Sequence, residues 1–228
     1  MERNFNIWRG DTEKGEFKTY SIKLEQGMVV LDAIHRIQVE HSNDLAVRWN
    51  CKAGKCGSCS MEINGRPKLS CMTRMNEFAE DDIITIQPLK TFPIIKDLVT
   101  DVSWNYKQNK MIPPFKPKEK KHGKDYVMYQ QDVERIQEFR KCIECYLCQD
   151  VCHVLRDQDK KEKFVGPRFM IRLASLEMHP LDREDRIPKI KNEFGSGMCN
   201  ITRCCTDVCP EHIKITDNGI IPLKERVV

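Results

Sequence analysis

One cysteine frame occurs twice in this chain, and that repeat limits the fold more than any other feature. Cys142-Ile-Glu-Cys145-Tyr-Leu-Cys148-Gln-Asp-Val-Cys152 spaces its thiols as C-x2-C-x2-C-x3-C. Cys199-Asn-Ile-Thr202-Arg-Cys204-Cys205-Thr-Asp-Val-Cys209-Pro210 keeps the frame, with Thr202 where the second thiol would stand. Such spacing sets three thiolates on one tight loop, at three corners of an iron–sulfur cubane. The fourth thiol points away and ligates another cluster. Two such runs therefore interlock, and their clusters lie close together.

The twelve cysteines form three groups of four, at 51/56/59/71, 142/145/148/152 and 199/204/205/209. The first group, Cys51-Lys-Ala-Gly54-Lys-Cys56-Gly57-Ser58-Cys59 with Cys71 beyond, is the C-x4-C-x2-C…C set that holds a [2Fe–2S] cluster. Its glycines allow positive φ and let backbone N–H groups approach the cluster sulfurs, which favours the more negative, reduced state. Ser58 is a candidate hydroxyl donor to the same sulfurs. A disulfide scaffold is disfavoured, because such chains are small and secreted. Structural zinc favours pairs of C-x2-C and four tetrahedral ligands, whereas here three thiols crowd one loop.

Composition adds two exclusions. A net charge of +4 is too mild to argue for nucleic acid. Apolar runs such as Met28–Leu31 and Ile83–Ile84 fall far short of the roughly 20 residues that span a bilayer. The first residues have no apolar signal core, so the expected location is cytosolic or matrix-like unless the chain travels with a partner.

Around the cysteines, 5–9 and 17–24 alternate as two strands joined near Gly10–Gly15. Val30, Ala33, Ile34 and Ile37 line one face of a helix. Leu45–Trp49 reads as a short strand, Met61–Leu69 as a hairpin on an Asn64-Gly65 turn, and Ile83–Gln87 as the strand that closes the sheet. Helical spacing of Ile94, Ile95, Leu98 and Val102 suggests partial helix over 92–112. The Pro- and Lys-rich segment that follows reads as a solvated connector. Helices are expected at 132–140 and 164–178. The fold class is α+β: a β-grasp, plant-type ferredoxin domain over 1–110, a connector over 111–125, and an all-helical, bacterial-ferredoxin-like two-cluster domain over 126–228.

With Arg48-Trp-Asn-Cys51 through Asn64-Gly65, Cys71 and the two interlocked runs in this order, the chain resembles the iron–sulfur subunit of succinate dehydrogenase and fumarate reductase, from the first strand to Pro210. The resemblance implies single-electron relay between FAD on a flavoprotein subunit and quinone at a membrane-anchor subunit, with any haem also on partners. It implies a peripheral position on the cytoplasmic face of the cell membrane. It assigns the [2Fe–2S] cluster to Cys51, Cys56, Cys59 and Cys71. The [4Fe–4S] cluster falls to Cys142, Cys145, Cys148 and Cys209, and a [3Fe–4S] cluster nearest the quinone to Cys152, Cys199 and Cys205. Dicarboxylate chemistry belongs to the flavoprotein, so no catalytic residue is expected here.

Thr202 supports the three-iron assignment separately, since a hydroxyl is a poor iron ligand beside thiolates. Cys204 reads either as a buried free thiol or as a facultative fourth ligand. The chain departs from the family at His153, where Pro is usual, and at Asn200, where His is usual. It also lacks the Trp residues that follow the first run and line the quinone pocket. His153 and Asn200 are therefore candidates for the quinone vicinity, with a helix-capping or surface role for His153 as the alternative. A free carrier and the iron–sulfur subunit of a soluble or non-quinone fumarate reductase are the competing functions. A zinc-binding interaction protein would be colourless.

Overall fold

The computed structural model describes residues 2–120 and 123–228. The chain divides into two compact units. One runs up to Val102 and takes in Ile143–Val151; the other holds Ser103–Cys142 and Cys152–Val228.

In the first unit, Glu2–Gly10 (β1) and Gly15–Lys23 (β2) form an antiparallel pair, and Val30–Glu40 (α1) follows. Ser60–Ile63 (β3), Arg66–Leu69 (β4) and Ile84–Gln87 (β5) complete a five-stranded sheet in the order β2-β1-β5-β3-β4. β1 and β5 run parallel, with Phe5 opposite Ile84 and Ile7 opposite Ile86. Those four side chains are fully buried, as strict alternation along a half-buried sheet requires. Val30, Ala33, Ile34 and Ile37 of α1 pack into the same core. Asp32 accepts a hydrogen bond from the Val29 N–H and so caps the start of α1 (3.1 Å).

Two local expectations are corrected. Residues 45–49 form no strand, although they are anchored: Ala46 donates its N–H to Asp97 and accepts from the Leu98 N–H. The stretch 92–102 is not helical. Ile94–Lys96 (β6) and Val99–Thr100 (β7) make a small hairpin, and helix begins only at Ser103–Met111 (α2). Asp97 is the cause. It sits at φ +49 in the hairpin turn. Its carboxylate accepts from Gly10 N (3.0 Å), Arg9 Nε (3.0 Å) and Ala46 N (2.8 Å).

The second unit is built on Pro167–Glu177 (α6), a helix buried on nearly every face, with Pro at its start. Gln130–Gln137 (α3) packs against it, and the unit also holds His153–Arg156 (α5), Ile187–Asn192 (α7) and Cys204–Asp207 (α8). A wide π-helical turn over Ile215–Ile220 leads into Ile221–Arg226 (α9). Leu147–Asp150 (α4) belongs to the first unit. Phe139, Phe164, Phe169, Phe194, Ile190, Ile220 and Leu223 fill the core of the second.

Over 113–118 the Pro- and Lys-rich segment is not the free connector its composition suggests; residues 121 and 122 of the expected connector lie outside the described residues. Arg186, fully buried, donates to the carbonyls of Pro113 (2.9 Å) and Pro114 (2.7 Å). Lys118 and Arg183 exchange backbone hydrogen bonds with Leu181 and Lys116. Residues 113–118 are a strap fastened within the second unit.

Candidate iron–sulfur sites

In the first unit the loop 51–59 turns through left-handed residues at Lys52 (φ +53), Gly54 (+66) and Gly57 (+69). These turns aim N–H groups inward. Ala53 N and Lys55 N donate to Cys51 Sγ at 3.4 and 3.2 Å, and Cys51 N donates to Cys56 Sγ at 3.5 Å. The fourth thiol is brought in by the β3–β4 hairpin, which turns on Asn64 (φ +48) and Gly65 (φ +73). The N–H and hydroxyl of Ser70 both donate to the Cys59 carbonyl at 3.1 Å. Leu31 N and Val30 N, at the start of α1, bind the carbonyls of Ser70 and Thr73. Cys71 is thereby clipped between hairpin and helix.

The chemistry of this donor set fits an iron–sulfur cluster. Burial pushes the Cys71 thiol up to about 12, helped by the neighbouring Cys59. Burial also opposes ionisation of Cys56, but the Ser58 hydroxyl and backbone N–H groups outweigh it and hold that thiol at about 7. A buried thiol of this kind ionises when a metal takes the proton's place. The inward N–H groups then balance the negative sulfurs.

The two cysteine runs share one backbone. Glu144 and Tyr146 sit at φ +56 and +61, and Ile201 and Arg203, their partners in the repeat, at +60 and +66. Each run then enters a four-residue helix, α4 or α8. The conformation therefore follows the frame, even though Thr202 replaces the second thiol and Cys204 stands where the first run has Leu147.

Cys145 and Cys148 lie in the first unit, and there the backbone of Cys145 lies against Gly57. Asp150 anchors this segment: it accepts from Thr91 N at 2.9 Å, and its carbonyl accepts from the Thr91 hydroxyl at 3.2 Å. Cys142, Cys152, Cys199, Cys204, Cys205 and Cys209 lie in the second unit. Cys152 and Cys205 are buried, and burial pushes their thiols up to about 11 and about 12. Ile201 N donates to Cys199 Sγ (3.4 Å), and Cys205 Sγ meets Thr216 Oγ1 at 3.5 Å. His153 and Asn200, singled out as the residues after Cys152 and Cys199, are brought together: His153 Nε2 meets the Asn200 side-chain amide at 3.2 Å.

Comparison with known proteins agrees with this picture. The 2Fe-2S iron–sulfur cluster binding domain family matches residues 4–107, and the 4Fe-4S dicluster domain family matches residues 138–213. The fumarate reductase iron–sulfur subunit of Wolinella succinogenes is 31% identical over 224 residues, covering 94% of this chain and 91% of that protein. The chain belongs to the iron–sulfur subunits of the succinate dehydrogenase and fumarate reductase family.

A chain of the Mycobacterium smegmatis Sdh1 complex, solved in the apo form, superposes on this iron–sulfur subunit with a TM-score of 0.96. The two are 60% identical, and the match covers 99% of this chain and 95% of that one. An uncharacterized iron–sulfur protein of Methanococcus maripaludis is 33% identical over 217 residues, covering 92% of this chain. The chain spans only 41% of the length of that relative. The subunit thus has an N-terminal [2Fe–2S] domain built on a sheet, followed by a dicluster domain. Among its described residues, no helix is long and apolar enough to cross a membrane.

Several residues that shape these sites escaped the sequence reading. Thr91 and Asp150 lie 59 positions apart, and nothing local joins them. Thr216 and Lys224 come from the C-terminal π-helical turn and α9, where no helix was expected. Lys224 donates to the carbonyls of Ser196 and Cys199 at 3.0 and 3.1 Å and so braces the second run. Ile215, Ile220 and Leu223, all buried, were the available signal.

Proposed function

We propose that the chain relays single electrons between FAD on a flavoprotein subunit and quinone at a membrane-anchor subunit, as part of a succinate:quinone oxidoreductase held peripherally at the cytoplasmic face of the membrane. The observation that carries this reading is the doubled backbone of the two cysteine runs, following a four-thiol loop in the family's order. The first domain is read as a β-grasp, plant-type ferredoxin, and the second as an all-helical, bacterial-ferredoxin-like domain. Cys51, Cys56, Cys59 and Cys71 are assigned to [2Fe–2S]. Cys142, Cys145, Cys148 and Cys209 are assigned to [4Fe–4S], and Cys152, Cys199 and Cys205 to [3Fe–4S].

When bound, the clusters supply one-electron redox chemistry. The chain's own residues set the conditions for it. Inward N–H groups at Ala53, Lys55 and Ile201 offset added negative charge on sulfur. Burial around Cys59, Cys71, Cys152 and Cys205 keeps water from the sulfurs. The contact of Gly57 with Cys145 shortens the path from the first ligand set to a member of the second.

Anaerobically prepared protein is expected to be brown and to co-elute with a flavoprotein. It should carry acid-labile sulfide and about nine irons per chain, from two, four and three. A colourless, sulfide-free preparation would refute the reading. Thr202→Cys restores the frame of the first run and is expected to raise the count to about ten, with loss of the three-iron EPR signal. One observation favours a second acceptor class: a His153–Asn200 pair, without Trp residues, follows the thiols of the third set. Succinate oxidation that proceeds with a soluble acceptor but not with quinone would select a non-quinone enzyme.

A further inference from the structure

Four thiols of the second unit belong to one neighbourhood, although three suffice for the third cluster. Cys152 and Cys205 are buried, Cys199 and Cys204 half-buried. Cys199 and Cys204 both stand within electrostatic reach of Cys152 and of Cys205. The position of Cys204 is specific. Thr202 holds the place of the missing second thiol in the repeated frame, and Cys204 Sγ lies 3.3 Å from Thr202 Oγ1. The residue at the equivalent point of the first run, Leu147, is a buried apolar side chain. Here the repeat places a half-buried thiol instead, with its sulfur against Thr202, the residue that stands in for the missing ligand of the frame.

We propose that Cys204 closes the corner of that missing ligand on a ferrous ion, so that the third site holds either three or four irons according to iron supply. This rests on the assignment of Cys152, Cys199 and Cys205 as the thiolate ligands of the third cluster. The step balances without an outside oxidant or reductant. A one-electron-reduced core, [3Fe–4S] of charge zero, takes one ferrous ion to become [4Fe–4S] of charge +2. The Cys204 sulfur forms a bond to the incoming iron, and the S–H proton passes to solvent. Loss of the ferrous ion, with reprotonation of Cys204, reverses the step.

The test uses the anaerobic holoprotein in its complex, as wild type and as Cys204→Ala, each reduced with dithionite and incubated with ferrous ion. After removal of excess iron and reoxidation, the three-iron EPR signal and the iron count are read. Wild type is expected to lose at least nine-tenths of the signal and to rise from about nine to about ten irons per chain. Cys204→Ala is expected to keep the signal and stay at about nine. If wild type is isolated with about ten irons, the alanine variant should bring the three-iron signal out. Equal conversion of both proteins, or a wild-type signal indifferent to ferrous ion, overturns the role of Cys204 while leaving the three-cluster assignment standing. Absence of labile sulfide overturns both. An unchanged [2Fe–2S] signal in the variant certifies that it has folded.

Discussion

Gly57→Ala is expected to cost several kcal/mol and to lower the iron content clearly below about nine per chain. Two penalties act together. Gly57 sits at φ +69, where an L side chain costs roughly 1–2 kcal/mol. A Cβ there would also stand 2.6 Å from Cys145 Cα and 2.9 Å from Cys145 N and Cβ. Backbone on that side gives way only if a whole segment moves, and overpacking of this kind adds roughly 1–3 kcal/mol. The segments free to move are the 56–59 turn, which carries two proposed ligands of the first cluster, and the 144–146 turn, which carries one of the second. Gly65→Ala supplies the control. It has the same left-handed backbone (φ +73) with nothing within 4 Å of the added Cβ, so only the conformational penalty applies. Iron content, labile sulfide and the [2Fe–2S] EPR signal of the two variants separate the terms. Equal losses would mean that the approach of Gly57 to Cys145 does no work.

The limits of the sequence reading follow from where the determining contacts lie. The strands β1 and β5 and the helix α1 announce themselves because burial imposes a period on consecutive residues. The Asn64-Gly65 turn does so because its chemistry is local. The β6–β7 hairpin does not. Ile94, Ile95 and Leu98 suit a helical face as well as a hairpin, and the choice is made by three donors to Asp97 from residues 51 to 88 positions away. The cysteine runs show the same division. Their spacing announces a cluster frame, but the left-handed turns fall on Glu144, Tyr146, Ile201 and Arg203, none of them glycine. Cys204 was legible as a surplus thiol, and only the structure sets its sulfur beside Thr202. The strap over 113–118 was misjudged because solvated lysines dominate its composition, whereas Arg186, some seventy residues later, holds its carbonyls.

That strap leads to the second large effect. Arg186→Met is expected to destabilise the protein by roughly 3–5 kcal/mol, because it leaves a buried partner charge uncompensated. The Arg186 side chain is fully buried, and it pairs with Asp182, itself only 2% exposed, at 2.9 Å. Its remaining donors reach the carbonyls of Pro113, Pro114 and Glu184. Methionine matches the length of the stem but satisfies none of these acceptors, and Asp182 keeps a charge that water cannot reach. Asp182 also accepts the Lys116 N–H at 3.1 Å, so its displacement would loosen the strap from a second point. For a chain of this size the melting temperature should fall by roughly 6–20 °C. The exposed i,i+4 pair Lys189–Glu193, 3.0 Å apart with 43% and 49% of its side chains open to solvent, is the matched comparison. Lys189→Ala should change stability by no more than about 0.5 kcal/mol. Adding Asp182→Asn to Arg186→Met should recover part of the loss, since the orphaned charge is then gone. If the double variant melted as far below Arg186→Met as Asp182→Asn melts below wild type, the two side chains would be energetically independent and the buried pair would not be what fastens the strap.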